Sequence, residues 1–183
     1  NKIQRMIYVG TANSFSYTSD KENPGTEGTP YASWHYGLDY MDSKYKAQEL
    51  ILQNVKENGL PALVVNPTFM IGPYDSRPSS GALILALYKG KVPGYTNGGK
   101  NYVAVKDVAF AMANAIDRGR IGECYIVGNV NLSFKEAFDL IATTIGAKPP
   151  KLKLPNPIVK LYGSFTSTTA KLFGFNPSVT REL

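Results

Sequence analysis

The strongest constraint on the fold is a strand, a helix and a strand that follow one another within the first 67 residues. The apolar run Met6–Val9 predicts a buried strand, and "ALVVNP" predicts a second one that ends at Pro67. Between them a helix is predicted for residues 40–58, with Gly59 as its C-terminal cap. Two strands joined through a helix lie parallel, with a right-handed crossover. The sequence therefore predicts an α/β fold that contains a right-handed βαβ unit in a parallel sheet.

Composition and charge narrow the classes of function. The 183 residues are 43% hydrophobic, which is enough for one core and a smaller lobe. The formal net charge is +6, but its basic residues are scattered from Lys2 to Arg181, whereas nucleic-acid binding needs a clustered basic patch. No apolar run reaches the roughly 20 residues of a membrane span. We therefore expect no nucleic-acid partner and no membrane span. A cytoplasmic location is expected.

The chain is poor in metal-binding residues. Cys124 lies in the apolar run "CYIVG" and is interpreted as a small buried hydrophobe. His35 is the only histidine and lies beside Trp34 in a long loop, roughly residues 14–39. It is interpreted as a surface histidine, with a substrate-facing role as the alternative. One Cys and one His cannot build a zinc site, so no metal is expected.

The rest of the chain alternates helices with short strands. Helices are predicted from about Gly81, over 106–117, after Ser133 and over 158–173. Ser133 and Glu136 have the spacing of a capping box. Turns are predicted for 91–101, followed by a short strand in "YVAV", and "ECYIVG" predicts another buried strand. In the 40–58 helix the apolar face is predicted to contain Met41, Tyr45, Leu50, Ile51 and Val55.

A tyrosine and a lysine four residues apart, Tyr40 and Lys44, begin that helix in "YMDSK". The same spacing occurs twice more, at Tyr17 with Lys21 in the long loop and at Tyr102 with Lys106 beside an extended stretch. Only on a helix do such positions share a face, with Cβ atoms about 5 to 6 Å apart. An ammonium beside a phenol lowers the pKa of the phenol and lets it exchange a proton with a substrate oxygen. From spacing alone an incidental surface pair remains the alternative.

Five segments in order carry a resemblance to a known family. They are "MIYVGTANSF", "YMDSKYKAQELI", "LVVNPTFMIGP", "NYVAVKDVAFAMANAI" and "GECYIVGN". Together they resemble the extended short-chain dehydrogenases/reductases, the NAD-dependent epimerase/dehydratase family, and within it the dihydroflavonol reductase-like and hydroxysteroid dehydrogenase-like members. The resemblance covers nearly the whole chain. It implies an α/β fold, the C-terminal portion of a Rossmann-type doubly wound parallel sheet with a small mixed substrate-binding lobe, and NAD or NADP as cofactor.

The resemblance also implies roles for individual residues. Tyr40 would be the general acid/base, and Lys44 would lower its pKa and hold the ribose of the cofactor. Thr11 would hydrogen-bond the reacting oxygen, although the family often has consecutive serines where this chain has Gly10-Thr11-Ala12. The segment that lies against the nicotinamide corresponds to Pro67, Thr68, Phe69 and Met70. Candidate substrate residues near these segments are Tyr17, His35, Tyr74 and Tyr95.

The same resemblance implies a domain plan. Residues 1–73, with 106–128 returning to them, would be the catalytic half of the cofactor domain, and 74–105 with 129–183 would be the substrate-binding lobe. A glycine-rich dinucleotide fingerprint is absent, and with it the residue that would select NAD or NADP. In the family these lie upstream, so about a hundred preceding residues are expected.

Three functions remain open at this point. The first is hydride transfer between nicotinamide and a small-molecule carbonyl or alcohol. The second is nucleotide-sugar epimerisation or dehydration in the same family. The third is a non-catalytic NAD(P)-binding sensor or assembly module. The oligomeric state also stays open, and the resemblance implies a homodimer formed through the helix that carries Tyr40 and Lys44 and through its neighbour.

Overall fold

The computed structural model describes residues 3–18, 23–76 and 79–155. In these ranges the strands are β1 (Met6–Val9), β2 (Ala62–Pro67), β3 (Phe69–Ile71), β4 (Gly94–Tyr95), β5 (Gly99–Ala104), β6 (Cys124–Val127), β7 (Val130–Ser133) and β8 (Leu152–Lys153). The α-helices are α1 (Asp39–Asn58), α2 (Ser80–Tyr88), α3 (Val105–Arg118) and α4 (Phe134–Thr144). Short 3₁₀ turns cover Ala12–Ser14 and Ser33–Tyr36. The helix predicted for 158–173 lies outside the described residues.

The chain divides into two compact units. The first contains the described residues of Asn1–Tyr74 and Asn101–Val130, and the second contains those of Asp75–Lys100 and from Asn131 onward. Which of them serves a cofactor and which a substrate stays a prediction.

The first unit is built on a parallel sheet in the order β1-β2-β6. Met6 lies opposite Ala62 in the first pairing, and Val64 lies opposite Cys124 in the second. Every residue of β2 is buried because this strand is central and covered on both faces. The α/β fold class, with parallel strands joined through α1, is confirmed.

Alternation along β2 sends its side chains to two different helices. Leu63 and Val65 form a core cluster with Ala115 of α3. Asn66 faces the other way and hydrogen-bonds Gln48 of α1. Helices therefore cover this sheet on both faces, α3 on one and α1 on the other.

Helix α1 has the predicted extent to within one residue, and four of the five residues of its predicted apolar face are partly buried. Gly59 ends it in the left-handed conformation, φ 66°, as expected for a C-terminal glycine cap. Leu50 was predicted to be buried and is 58% exposed, whereas Gln48 is 2% exposed. Gln48, which hydrogen-bonds Asn66 of β2, shares one face of α1 with Met41 and Tyr45 at spacings of four and three, and Leu50 lies off that face.

The chain does not stop pairing at Pro67, contrary to expectation. After Thr68 it continues as β3, which lies parallel to β5 with Phe69 opposite Tyr102 and Ile71 opposite Ala104. The region predicted as turns also contains β4 and the start of β5. Strands β4 and β5 are two and six residues long and each contains a glycine. Their sequences therefore show little of the alternation of apolar and polar residues by which a strand is predicted.

In the second unit, α2 packs against α4, and β4 lies parallel to β8. The predicted capping box is present at the start of α4. Glu136 N–H donates to Ser133 Oγ (3.2 Å), and Ser133 N–H donates to Glu136 Oε2 (2.7 Å). Asp75 Oδ2 accepts hydrogen bonds from the N–H groups of Ser79 and Gly81 at the start of α2. Local capping therefore sets where both helices begin.

Candidate active site

Topology brings the main candidate residues to one edge of the first sheet. Thr11 follows β1 and Pro67 ends β2, and these parallel strands end at the same edge. Helix α1 runs back between them, so it begins at that edge with Tyr40 and, one turn later, Lys44. The crevice outside the carboxyl ends of parallel strands is where α/β sheets bind ligands.

The hydroxyl of Thr11 keeps its proton available. Its oxygen accepts a hydrogen bond from the N–H of Asn13 at 3.3 Å and so caps the 3₁₀ turn that follows β1. The Thr11 carbonyl oxygen accepts from the N–H of Ser14 (2.9 Å) and from Asn66 Nδ2 (3.0 Å). Among the described residues the Thr11 side-chain oxygen acts only as an acceptor, so its O–H can still donate to a ligand oxygen.

Tyr40 and Lys44 lie in the first turns of α1, as predicted, with the Tyr40 side chain 58% exposed and Lys44 half-buried. An aromatic side chain left exposed beside a half-buried cation is accessible to a ligand. Of the two other copies of the spacing, Tyr102 is buried in β5 while Lys106 lies in α3. Burial raises the pKa of Tyr102 and so favours its neutral phenol. Lys21, the partner of Tyr17, lies outside the described residues.

Sequence reasoning missed two side chains at this edge, Asn66 and Gln48. Asn66 Nδ2 donates to Gln48 Oε1 at 2.6 Å and to the Thr11 carbonyl oxygen at 3.0 Å. Both side chains are buried, with Asn66 at 0% exposure. A polar residue in register with the apolar stripe of α1 could have revealed Gln48, since a buried amide needs a hydrogen-bond partner.

The segment predicted to meet the nicotinamide is tied to neighbouring strands. Pro67 is buried, and Met70 is 38% exposed. Thr68 Oγ1 donates to Asn101 Oδ1 at 2.8 Å. Asn101 Oδ1 also accepts a hydrogen bond from the N–H of Asn129 at 3.0 Å. The Phe69 ring meets that of Tyr102 edge-on, with centroids 5.4 Å apart. The hydroxyl proton of Thr68 is therefore already engaged.

Tyr17 and His35, two of the four candidate substrate residues, line one cavity of about 230 Å³ together with Ser16, Ala32 and Ser33. His35 Nδ1 lies 2.8 Å from the Ala32 carbonyl oxygen, which only accepts, so this nitrogen carries the proton. Ser16 Oγ is buried with no hydrogen-bond partner in the described part of the chain. The cavity thus offers unsatisfied hydrogen-bonding groups beside aromatic rings.

The other two candidates lie elsewhere. Tyr74 is 97% exposed and has φ 69°, a left-handed conformation that is uncommon for a residue with a side chain. Tyr95 is half-buried in β4 and belongs to the second unit. Neither is among the residues that line the cavity of Tyr17 and His35.

An aromatic cluster fastens the long loop to α1. The Tyr31 ring stacks on that of Tyr45 with centroids 4.4 Å apart, and Trp34 meets both edge-on. The Tyr31 hydroxyl donates to Asp42 Oδ1 at 2.5 Å. Burial, followed by this hydrogen bond and the charge of Asp42, raises the pKa of Tyr31 to about 12. The loop is thereby held one turn from Tyr40.

Replacing Tyr31 with phenylalanine should lower the free energy of unfolding by about 1.5 to 3 kcal/mol below pH 10, since a hydrogen bond to a charged group is lost. In the unfolded chain Tyr31 ionises near pH 10, but in the folded chain only near pH 12, so its contribution fades between these values. Urea unfolding of both proteins across that interval measures the difference. A difference that stays constant with pH would contradict the assignment.

Other groups in the described ranges add no further chemistry. Burial, then the nearby charges of Glu49, Glu123 and Glu27, raises the pKa of Cys124 to about 11, which disfavours the reactive thiolate. Among these residues, no three His, Cys, Asp or Glu side chains are grouped so that they could hold a metal ion. None of the described helices combines the length and apolarity needed to cross a membrane.

Comparison with known proteins gives matches along most of the chain. Residues 1–128 match the model of the NAD dependent epimerase/dehydratase family. A Synechocystis protein provisionally named dihydroflavonol 4-reductase is 31% identical over 158 residues, which cover 84% of this chain and 46% of that protein. The chain spans about half the length of the curated relatives it matches.

Solved structures resemble the chain over nearly its whole length. The crystal structure of gox2253 has a TM-score of 0.81 at 35% identity, covering 98% of this chain and 55% of that one. A dTDP-glucose 4,6-dehydratase from Bacillus anthracis, solved in complex with NAD, has a TM-score of 0.69 at 22% identity, covering 97% and 58%. The second likeness shows a shared fold only.

Proposed function

Because the chain belongs to the NAD-dependent epimerase/dehydratase family, as its motifs predicted, we propose that the full-length protein carrying it is a reductase. It would reduce a carbonyl group of a small molecule, or oxidise the corresponding alcohol, with NAD or NADP. The observation that supports this proposal is that Thr11 follows β1 and that α1 begins, with Tyr40 and Lys44 in its first turns, at the same carboxyl edge of the β1-β2 sheet. The likeness to a relative named as a reductase supports this reaction over epimerisation.

The residues at this edge fit a nicotinamide cofactor with a carbonyl substrate. The cofactor supplies a hydride when bound. Lys44, half-buried one helical turn after the exposed Tyr40, can donate a hydrogen bond to a ribose hydroxyl. Met70, which is 38% exposed in β3, would supply apolar surface for a flat ring, and Pro67, buried at the end of β2, would fix the backbone that leads to it. Thr68 and Phe69 would contribute backbone and ring edge, since the Thr68 hydroxyl donates to Asn101.

Proton transfer would be the task of two hydroxyl groups. Tyr40 would donate its phenolic proton to the carbonyl oxygen as that oxygen gains negative charge, and would recover it from solvent. Thr11 would donate a second hydrogen bond to the same oxygen, since its own oxygen is occupied as a cap acceptor. In the direction of alcohol oxidation, Tyr40 would act as the base.

Substrate binding would fall to the cavity of Tyr17 and His35, with Tyr74 and Tyr95 as more distant candidates. In the same proposal the first unit serves the cofactor and also contains the cavity of Tyr17 and His35, whereas the second unit, which contains Tyr95, is the substrate lobe. A homodimer formed through α1 also belongs to it, and Leu50, exposed on that helix, would be part of the interface. Light scattering on the full-length protein decides between a monomer and a dimer.

The proposal is tested on the full-length protein with NADH and NADPH and a panel of ketones and aldehydes. We expect oxidation of one cofactor, followed as loss of its absorbance, that depends on the carbonyl compound. A panel of UDP- and dTDP-sugars is the matched comparison. Conversion of these sugars without net cofactor oxidation would replace the reductase by an epimerase or dehydratase. Tight cofactor binding with no turnover on either panel would favour a sensor.

A further inference from the structure

We propose that Asn66 and Gln48 are positioning residues that hold Thr11 in place for the reaction. Asn66 joins the end of β2 to the residue after β1 and to α1, and we call the linkage Gln48–Asn66–Thr11 the amide bridge. The inference rests on the proposed function, because Thr11 needs a fixed position only if its hydroxyl serves a reacting oxygen.

The amide bridge is buried and short. Gln48 is 2% exposed and Asn66 is 0% exposed, so water does not compete for their hydrogen bonds. The Asn66 to Gln48 distance is 2.6 Å, and the Asn66 to Thr11 distance is 3.0 Å. One amide nitrogen thus fastens the helix that carries Tyr40 and the turn that carries Thr11 to the same strand.

The orientation of the Asn66 amide is fixed by chemistry. The Thr11 carbonyl oxygen can only accept, so the nitrogen of Asn66 must face it, and Gln48 must then present its oxygen. The cost is visible at Asn66 Oδ1, which is buried and has no hydrogen-bond partner among the described residues. An unpaired buried acceptor costs about 1 to 3 kcal/mol, so this arrangement is a poor device for stability alone.

The backbone leaves room for the amide bridge at Gly10. A Cβ atom at this position would lie 2.6 Å from Asn66 Nδ2 and 3.2 Å from Val64 Cγ1. The residue next to Thr11 therefore has no side chain because Asn66 occupies that space. Gly10→Ala would displace Asn66 while leaving every polar group of the bridge in the chain.

The bridge acts on Thr11 through its backbone. The carbonyl group that Asn66 holds belongs to the peptide that opens the 3₁₀ turn, and the Thr11 hydroxyl caps that same turn. Loss of the bond frees this peptide to rotate and so changes the direction of the hydroxyl. A displacement of about 1 Å at a reacting group can lower a rate by as much as about 100-fold.

The test compares Asn66→Asp and Gln53→Glu in the full-length protein, on the carbonyl substrate that it turns over best. Asn66→Asp keeps the shape but cannot donate both hydrogen bonds, even as the neutral acid, and kcat should fall about 10- to 100-fold with KM little changed. Gln53→Glu makes the same amide-to-carboxyl change at an exposed position of α1 outside the amide bridge, and its kcat should stay within about threefold of the wild type. Equal kcat in the wild type and Asn66→Asp would overturn the proposal.

A double-mutant cycle separates positioning from general damage to the fold. Without the Thr11 hydroxyl there is nothing left to position, so in the Thr11→Ala background Asn66→Asp should lower kcat by less than about threefold. If the loss in that background equals the loss in the wild type, Asn66 acts on the fold and not through Thr11, and the proposal fails.

A measurement without turnover keeps this proposal distinct from the proposed function. Three-bond couplings of the Thr11 methyl group report whether its side chain holds one rotamer. We expect one rotamer in the wild type and an average over rotamers in Asn66→Asp and in Gly10→Ala. A single rotamer in all three proteins would overturn the positioning role even if the enzyme is an active reductase. Averaging in the variants, in a protein without turnover, would refute the proposed function alone.

Discussion

Tyr40→Phe should lower the turnover of the full-length protein by about 100- to 10,000-fold, the range attributed to a general acid or base. The substitution removes only the hydroxyl group and retains the aromatic ring at the second residue of α1. Cofactor binding should stay within about threefold, because the Lys44 ammonium and the segment after Pro67 are unchanged. Steady-state kinetics and a titration of the cofactor measure the two quantities separately.

Tyr45→Phe is the matched control, since Tyr45 lies on the same helix and stacks on Tyr31. Burial and then Glu49 raise the pKa of Tyr45, so its neutral phenol is favoured and it is unsuited to act as a base. Turnover of this control should stay near that of the wild type. If Tyr40→Phe retains wild-type kcat, the assignment of Tyr40 as the proton donor is wrong.

Lys44→Met should impair both cofactor binding and turnover. The Lys44 side chain is half-buried one turn after Tyr40, and methionine retains much of its apolar stem. Loss of a hydrogen bond from a charged group should weaken cofactor binding by about 10- to 100-fold. At saturating cofactor, kcat should also fall at least about tenfold, because the positive charge beside Tyr40 has been removed.

Lys46→Met is the control for Lys44→Met. Lys46 is exposed two residues further along α1, with its ammonium 5.9 Å from the centre of the Trp34 ring. Both substitutions remove one positive charge from the same helix, so a general electrostatic effect would appear in both. Equal losses of cofactor affinity in the two variants would contradict a specific role for Lys44.

Local sequence patterns were sufficient to predict helix α1 and the strands of the first sheet. Met6–Val9 is a short apolar run and became β1, and Gly59 ended α1 because glycine adopts the left-handed conformation at low cost. Strands β3, β4, β7 and β8 were missed because none of them contains four consecutive apolar residues, as β1 and β6 do. Strands without such a run are specified by their partners more than by their own residues.

In the candidate site, too, some residues could be predicted from local motifs and others could not. Thr11, Tyr40 and Lys44 lie in segments whose order matches a family, so their positions followed from the motifs. Asn66 and Gln48 are 18 residues apart, and their hydrogen bond exists only after β2 and α1 have packed. The residues near Gln48 in the sequence do not indicate which buried donor will hydrogen-bond to it. Contacts of this kind depend on tertiary structure, and local periodicity does not predict them.

The most direct test of the central claim follows a deuterium atom. Full-length wild-type protein and Tyr40→Phe are each given a carbonyl substrate and a reduced nicotinamide deuterated at its transferable position, and the product is analysed by mass spectrometry. The account predicts a wild-type alcohol with one deuterium on the former carbonyl carbon. From Tyr40→Phe, with the cofactor still bound, it predicts almost no product. Product without deuterium, or equal labelled product from both proteins, would contradict it.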